Sequence, residues 1–219
     1  MLTLKSFHKK YDTTTSELVI KGRTFPFFMA RNLEDFVDPQ DIFQDFPLWI
    51  KIWEASFVLA EYLAGMEAEE GKRLLEIGCG IGVVGIVASS FGHQVTMTEY
   101  NQDALNFARA NALLNEASNL EIRALDWYNP EIEGAFDYIV GSEVLYRERD
   151  FQPILQLFKT YLKKRGEIIL AEGIRKTSMA FMHQMSDYFH ITAQKKVLRS
   201  KEKEIAIMLC RMKPKGSFG

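Results

Sequence analysis

The sequence is poor in cysteine, and the two cysteines that it does contain stand far apart. Cys79 and Cys210 lie in separate apolar runs of a 219-residue chain, so they form neither a disulfide framework nor a pair of metal ligands. The four histidines are scattered and also lack the spacing of metal ligands. We therefore expect two core cysteines, no bound metal and a reduced, cytoplasmic protein.

The chain also lacks a strong net charge and an unbroken apolar run. Its formal net charge of −2 creates no global field that would attract nucleic acid or an anionic membrane. The most apolar stretch, residues 46–66, is interrupted by Lys51, Glu54 and Glu61 and does not match a membrane span. The sequence therefore argues against a nucleic-acid or membrane partner, and we expect a monomer or a weak dimer.

What the chain does contain is a glycine-rich turn between two apolar runs. Gly78, Gly80 and Gly82 follow a buried-strand pattern that ends near Glu76, and helical spacing begins at Val83. Glycine permits backbone angles that other residues avoid, and it lets a ligand lie against the main chain. Residues 78–82, here called the glycine turn, therefore predict a ligand site between a strand and the start of a helix.

Two kinds of ligand fit this turn. Together with Gly85 the glycines match a dinucleotide fingerprint, in which an acid about 20 residues further on binds a ribose, as Glu99 would do here. However, Glu76 stands directly before the glycines, where a carboxylate would repel a pyrophosphate and attract an ammonium group. The pattern resembles the first motif of the seven-strand S-adenosylmethionine-dependent methyltransferases. This resemblance implies that Glu76 lies near the amino-acid part of the cofactor.

Strand and helix patterns alternate through the rest of the chain, which is 47% hydrophobic and long enough for one sizeable core. Predicted strands lie at 72–77, 94–98, 120–125, 136–140 and 167–171, and predicted helices at 103–115, 151–162 and 177–188. Such alternation is typical of a doubly wound parallel sheet. The strands predicted at 190–198 and 204–211 are joined by a short polar link and form an antiparallel hairpin. We predict an α/β, Rossmann-like sheet of seven strands, the number that the methyltransferase resemblance implies.

The first 45 residues predict an extension of the same unit. Short apolar stretches around Leu2 and Leu4, at 18–20 and at 25–29 predict a small β-hairpin, with turns at 12–16 and at Gly22. Residues 31–45 predict a linker or a segment over the site.

A helix packed on the sheet is expected to begin near Pro47, with Asp45 as its N-cap, and to end at Gly65. We expect the methyltransferase domain to span residues 46–213 and a frayed tail to follow at 214–219.

The carboxyl ends of the parallel strands share one edge of such a sheet, and its ligands bind there. Glu99 can accept hydrogen bonds from the hydroxyl groups of a ribose, and Asp126 can accept one from an adenine amino group, with Trp127 against the ring. The predicted cofactor-binding residues are Trp53, Glu76, Gly78, Gly80, Gly82, Glu99, Tyr100, Asp126, Trp127 and Ser142.

Residues 142–146, here called the acceptor loop, follow the fourth strand and face the transferred methyl group in this topology. Because the cofactor carries the activation, the protein mainly places a nucleophile close to the methyl group. An amine must be neutral to attack, and Glu143 can orient it and manage its proton. Tyr146 can supply an aromatic wall or a hydroxyl group. We predict Glu143 and Tyr146 as the catalytic residues.

Three segments together resemble family 16 of the seven-strand methyltransferases, a group that includes protein lysine methyltransferases. They are residues 53–56 with 59–63, residues 125–127, and the acid-x-x-aromatic motif at 143–146. The chain departs from the family pattern at Glu54, where proline is frequent, and at Glu143, where aspartate is usual. The resemblance implies S-adenosylmethionine as cofactor and a protein lysine as acceptor.

Other functions remain open at this point. A small-molecule N- or O-methyltransferase has the same cofactor motifs, and a non-catalytic cofactor-binding module shares the glycine turn. An NAD-dependent oxidoreductase matches the fingerprint, but Glu76 and the terminal hairpin argue against it. A DNA amino-methyltransferase is disfavoured because the acceptor loop lacks the Pro-Pro-aromatic core of those enzymes.

Overall fold

The computed structural model describes residues 2–37, 47–199 and 204–216. Within these residues the strands are β1 (Thr13–Ile20), β2 (Arg23–Ala30), β3 (Arg73–Ile77), β4 (Gln94–Glu99), β5 (Leu120–Ala124), β6 (Phe136–Ser142), β7 (Leu162–Gly173), β8 (Phe189–Arg199) and β9 (Glu204–Pro214). The α-helices are α1 (Leu4–Lys10), α2 (Glu54–Ala64), α3 (Val83–Ser90), α4 (Gln102–Leu114), α5 (Phe151–Tyr161) and α6 (Lys176–Met185). The alternation of strands and helices confirms the predicted α/β class.

Seven of these strands form one sheet in the order β5-β4-β3-β6-β7-β9-β8. The strands from β5 to β7 run parallel, and β9 lies antiparallel to both β7 and β8. This order confirms the predicted doubly wound, mostly parallel sheet with an antiparallel hairpin at its end. The strand order reverses between β3 and β6, and sheets of this kind bind ligands beside that point, at the carboxyl ends of the strands.

The side chains of β3 alternate between two apolar clusters, one on each face of the sheet. Leu74 belongs to the cluster that includes residues of α2, α3 and α4, whereas Leu75 and Ile77 belong to the cluster that includes residues of α5 and α6. Because strand side chains alternate with a period of two, Glu76 points to the same face as Leu74. The side chain of Glu76, the first of the acids predicted to bind the cofactor, therefore points toward α3.

The first residues form a helix where the alternation of Leu2 and Leu4 predicted a strand. The Thr3 hydroxyl accepts a hydrogen bond from the Ser6 N–H at 3.1 Å, and the Ser6 hydroxyl accepts one from the Thr3 N–H at 3.0 Å. This reciprocal cap satisfies backbone donors at the start of α1, and Phe7 is fully buried. The prediction is wrong because the local cap and the burial of one aromatic ring outweigh a short alternation.

The predicted N-terminal hairpin is present, and it is longer than expected. β1 and β2 pair antiparallel along their full length. The prediction of a turn at 12–16 is wrong for residues 13–16, because each of them pairs with a residue of β2. The turn lies at Lys21 and Gly22, which both have positive φ.

The helix predicted to begin near Pro47 is α2, which begins only after Trp53. Residues Leu48–Ile50 form a 3-10 turn instead, and the Trp53 indole N–H donates to the Leu48 carbonyl at 2.8 Å. The backbone of this segment packs on the glycine turn, so tertiary contacts override the helical spacing of its apolar residues. The predicted N-cap, Asp45, lies outside the described residues.

The described parts of the predicted linker and of the predicted tail contain regular structure. The described part of the linker holds a 3-10 turn at Glu34–Phe36, and residues 38–46 lie outside the described residues. At the other end, Pro214 still pairs with Phe189 in the sheet, and the Lys215 N–H donates to the Tyr188 carbonyl at 3.0 Å. Pairing therefore continues past the predicted end of the domain at residue 213.

Asn111 connects the N-terminal hairpin to the sheet. Its side chain is fully buried in α4. The Asn111 Oδ1 atom accepts a hydrogen bond from the Phe28 N–H in β2 at 2.7 Å, and its Nδ2 atom donates to the Ile81 carbonyl in the glycine turn at 3.0 Å. Both partners are backbone groups that need a hydrogen bond when they are buried. We propose on this basis that residues 1–45 and 46–213 fold as one unit.

We expect Asn111→Ala to lower the free energy of unfolding by about 2–3 kcal/mol, because it leaves the Phe28 N–H and carbonyl and the Ile81 carbonyl without this partner. Urea unfolding followed by circular dichroism measures this loss. Gln102→Ala is the matched control, since Gln102 is exposed on the same helix. Equal stability of the two variants, or a separate transition for the hairpin in the wild type, would contradict the single folding unit.

Candidate active site

The carboxyl ends of β3, β4, β5 and β6 surround a cavity of about 550 Å³, a volume typical of small-molecule sites. The segment around Trp49 closes it from the N-terminal side. The predicted site residues that line it are Trp53, Gly78, Gly80, Glu99, Tyr100, Asp126, Trp127, Ser142, Glu143 and Tyr146. Two other predicted residues, Glu76 and Gly82, lie behind its wall. The structure thus brings the residues from four strand ends to one place.

The glycine turn has a shape that other residues adopt only with strain. Gly78, Gly80 and Gly82 have φ values of 63°, 53° and 92°, in the left-handed region that glycine tolerates best. A Cβ atom at Gly78 would lie 3.0 Å from the Val144 side chain, and one at Gly80 would lie 3.5 Å from the Trp49 backbone. The turn therefore presents bare backbone to the cavity, and α3 begins directly after it.

Glu99 ties the glycine turn to the loop after β4. Its Oε2 atom accepts a hydrogen bond from the Gly80 N–H at 2.9 Å, and its Oε1 atom accepts from the Tyr100 and Asn101 N–H groups at 2.8 and 3.0 Å. Burial raises the pKa of Glu99, and these three donors oppose the rise. Because a carboxylate has about four acceptor sites, about one of them remains for a ligand in the cavity.

Asp126 and Trp127 line the cavity beyond the end of β5, and Tyr128 and Asp150 line it beside them. Asp126 Oδ1 accepts from the Tyr128 N–H at 2.9 Å, and the Trp127 ring lies against Gly78. The Tyr128 hydroxyl donates to Asp150 Oδ1 at 2.7 Å, and this bond raises the pKa of Tyr128. Sequence reasoning missed this pair, because the partner lies 22 positions away and leaves no local signal.

Glu76 is buried beneath α3 and does not line the cavity. The residue is 1% exposed, and its Oε2 atom has no hydrogen-bond partner. A Cβ atom at Gly85 would lie 2.6 Å from that oxygen, so the fourth glycine makes room for the carboxyl. Burial raises the pKa of Glu76 to about 8, the Gly85 N–H opposes this, and the nearby Glu99 charge adds to it. Burial therefore favours the protonated form of this carboxyl group, and its contact with a cofactor stays a prediction.

Sequence reasoning also missed the contacts that close the cavity. Trp49 packs edge-on against Phe36, with ring centroids 5.0 Å apart, and against Phe107 at 5.5 Å. The hydroxyl oxygens of Ser56 and Ser142 lie 3.0 Å apart and join the start of α2 to the acceptor loop. The apolar residues before α2 predicted burial. Their helical spacing predicted a helix and gave no indication that they cover the glycine turn.

Glu143 and Tyr146 both line the cavity, as predicted, but the Glu143 carboxylate is already engaged. Glu143 has a φ of 54°, which is uncommon for a residue other than glycine. Its Oε1 atom accepts from the Gly173 N–H at 2.8 Å, and its Oε2 atom pairs with the Arg175 guanidinium. Burial raises the pKa of Tyr146, and the neighbouring Arg147 opposes this rise. The ring of Tyr146 lies 5.3 Å from the Arg147 guanidinium.

Neither a metal-ion cluster nor a membrane-spanning helix occurs among the described residues. No group of three or more His, Cys, Asp or Glu side chains within them is arranged to hold a metal ion. None of the helices in the described part of the chain has the length and hydropathy that a membrane crossing requires.

Comparison with known proteins identifies similar sequences and folds. A family model described as "Lysine methyltransferase" matches residues 46–188. The chain is 32% identical over 168 residues to Protein N-lysine methyltransferase METTL21A of Mus musculus, which covers 71% of this chain and 74% of that protein. It is 27% identical to EEF1A lysine methyltransferase 3 of Xenopus tropicalis, with 71% of each chain covered. The crystal structure of P. horikoshii TYW2 in complex with MeSAdo is similar in fold, with a TM-score of 0.59 and 13% identity over 92% of this chain and 72% of that one.

The raised pKa of Glu76 predicts a particular dependence of stability on pH. Because its folded value of about 8 lies above the unfolded value of about 4.3, the contribution of Glu76 to stability falls as the pH rises from about 4 to about 8. We expect Glu76→Gln, which stays neutral, to lose less stability over this range, and several pKa units correspond to several kcal/mol. Thermal unfolding near pH 5 and near pH 8 measures the difference.

The exposed Glu121 provides the matched control for this experiment, since Glu121→Gln removes the same charge from the surface. Its melting temperature should follow that of the wild type at each pH. Parallel pH profiles for the wild type and Glu76→Gln would show that the Glu76 carboxyl is not held neutral by burial.

Proposed function

We propose that this chain, which belongs to the lysine methyltransferase family, transfers a methyl group from S-adenosylmethionine to a lysine side chain of another protein. It is an S-adenosylmethionine-dependent methyltransferase, and the family match spans residues 46–188, which include most of the sheet. Two relatives are named as lysine methyltransferases, one of protein and one of EEF1A. The observation that carries the proposal is that Glu143 and Tyr146 line the same cavity as the glycine turn.

The residues around the cavity fit S-adenosylmethionine. The turn at Gly78 and Gly80 leaves a cradle of bare backbone that a Cβ atom would narrow. The carboxylates of Glu99 and Asp126 line the cavity and can accept from the hydroxyl and amino groups of a nucleoside. The unpartnered carboxyl oxygen of Glu76 lies directly behind the turn. An ammonium group near the turn would favour its ionised form.

These observations support the following assignments. We assign Glu99 to the ribose hydroxyls, Asp126 to the adenine amino group, Trp127 to the adenine ring, and the glycine turn with Glu76 to the amino-acid part. Further walls of the cofactor site come from Trp53, Tyr100 and Ser142. When bound, the cofactor supplies a methyl group that is already activated on a sulfonium. The chain then has to bring an acceptor atom into line and keep water out.

The acceptor loop can perform this positioning for an amine. A lysine ammonium must lose its proton before it can attack, and a carboxylate such as that of Glu143 can hold the amine and accept a hydrogen bond from it. Tyr146 and Trp53 offer aromatic surfaces in the same cavity, which suit the aliphatic stem and the cationic head of lysine. We therefore propose Glu143 and Tyr146 as the residues that touch the acceptor.

The other functions that the sequence left open are not equally well supported. The family match favours a methyltransferase over the oxidoreductase and the non-catalytic module. The other alternative is a small-molecule acceptor, and labelling of a cell lysate distinguishes it from a protein acceptor. The predicted cytoplasmic location, and the predicted monomeric or weakly dimeric state, stay predictions.

We expect Glu99→Ala to weaken the binding of S-adenosylhomocysteine about tenfold or more, because it removes charge-assisted hydrogen bonds. Isothermal titration calorimetry measures the dissociation constant. Glu121→Ala controls for the lost charge, since Glu121 is exposed and does not line the cavity. If the folded Glu99→Ala variant binds S-adenosylhomocysteine as tightly as the wild type, the ribose assignment is wrong.

We expect label from methyl-labelled cofactor to enter protein when the chain is incubated with a cell lysate, and acid hydrolysis to release it as methyllysine. Prior chemical blocking of lysine amines in the lysate should abolish the incorporation. Label recovered only in small molecules, or in an amino acid other than lysine, would overturn the proposed acceptor.

The same assay tests the role of Glu143. Glu143→Gln should bind S-adenosylhomocysteine normally and lose methyl transfer by about 10²-fold or more, the range of general-base and positioning effects. Normal transfer by this variant would remove Glu143 from the acceptor site.

A further inference from the structure

Behind the acceptor loop lie two ionisable side chains, Glu172 and Arg175, that the proposed reaction does not use. Glu172, near the end of β7, is completely buried. Arg175 follows it by three positions, and its guanidinium contacts Glu143 and also Glu172, at 3.3 Å. Arg175 itself does not line the cavity. A single guanidinium therefore bridges one carboxyl group of the acceptor loop and one of the adjacent strand.

The same residues are joined through the backbone. The Val144 N–H donates to Glu172 Oε1 at 2.9 Å, and the Gly173 N–H donates to Glu143 Oε1 at 2.8 Å. The Ser178 hydroxyl in α6 donates to the Gly173 carbonyl at 2.7 Å. The acceptor loop and the end of β7 thus hold each other through reciprocal carboxyl-to-backbone bonds. This explains how Glu143 keeps its left-handed backbone conformation.

Two carboxyl groups this close and this shielded from water do not both ionise easily. Burial raises the pKa of Glu172 to about 8, the charge of Glu143 adds to the rise, and Arg175 opposes it. Cys210 on β9 also interacts with Glu172, and its own pKa is raised to about 12 by burial and by Glu172. The Cys210 thiol is therefore neutral, and both burial and the nearby charge of Glu143 favour the protonated form of Glu172.

We propose that Arg175 and Glu172 are positioning residues for the methyl transfer, which bridge to Glu143 and keep its carboxylate ionised and oriented for the acceptor amine. This inference rests on the proposed role of Glu143. Without Arg175 the two carboxyl groups would compete for a proton, and Glu143 would spend more of its time protonated. A protonated Glu143 cannot accept the hydrogen bond of an ammonium or amine through the same oxygen.

The experiment compares Arg175→Ala with Arg175→Lys and with the double variant Glu172→Gln/Arg175→Ala. We expect Arg175→Ala to lower kcat about tenfold or more, with an unchanged dissociation constant for S-adenosylhomocysteine. The acidic limb of its kcat/KM profile should move up by about one pH unit or more, since an adjacent cation shifts a carboxyl by that amount. Arg175→Lys should restore part of kcat. The double variant should return the limb toward its wild-type position, because a neutral amide at position 172 no longer competes with Glu143 for charge.

Arg211→Ala is the matched control. The Arg211 side chain is 43% exposed and pairs with Glu167, which is 9% exposed, whereas the Arg175 side chain is 41% exposed and pairs with the buried Glu172. We expect Arg211→Ala to leave kcat and the pH profile unchanged. A loss of kcat in Arg175→Ala with an unshifted limb and no recovery in the double variant would mean that Arg175 is merely structural, and an unchanged kcat would also overturn the proposal.

A second measurement does not need an acceptor. We expect the losses in melting temperature of Glu172→Gln and Arg175→Ala to be non-additive in the double variant, and the non-additivity to change between about pH 6 and about pH 9, where Glu172 titrates. Additive losses at every pH would overturn the bridge. If the bridge is found but the wild type labels no lysine, then the proposed acceptor fails and not the coupling of Arg175 to the two carboxyl groups.

Discussion

The site depends on one close approach, in which the glycine turn after β3 touches the acceptor loop after β6. A Cβ atom at Gly78 would lie 3.0 Å from the Val144 side chain, so any larger residue would push the two loops apart. The contact lies where the strand order reverses, between strands that are hydrogen-bonded neighbours. Because the cofactor loop and the acceptor loop continue from adjacent strands, the rigid sheet sets the distance between the two ligands. A change in the conformation of the glycine turn therefore alters the position of the acceptor loop, and the reverse also holds.

Acidic side chains hold these strand ends together. Glu99 at the end of β4 accepts from the Gly80 N–H in the glycine turn, and Glu172 in β7 accepts from the Val144 N–H in the acceptor loop. Each carboxyl group pays a desolvation cost, which the backbone donors offset. The alternatives would be loops whose buried N–H groups lack acceptors, or loops open to water. Of these two carboxyl groups, Glu99 also lines the cavity, whereas Glu172 is buried behind it.

Local patterns in the sequence were sufficient for most of the fold. The strands of the sheet and the terminal hairpin follow from periodicity and from the polar links between apolar runs. The glycine turn and most of the cavity residues follow because strand ends share one edge. Contacts between distant parts of the chain could not be read in this way. Trp49 covers the glycine turn and Arg175 meets Glu143, although neither position carries a local mark of its partner.

The glutamate at position 143 departs from the aspartate that is usual in the acid-x-x-aromatic motif, and the structure offers a reason. Its carboxylate reaches the Gly173 N–H at 2.8 Å and the Arg175 guanidinium, both at the end of β7. An aspartate is shorter by one carbon, roughly 1.5 Å, so from the same Cα position it would fall short of a hydrogen bond to Gly173. The φ of 54° would itself favour aspartate over glutamate. Since local backbone preference opposes the glutamate and only the contacts with β7 favour it, the longer side chain and its partners Arg175 and Glu172 form one arrangement.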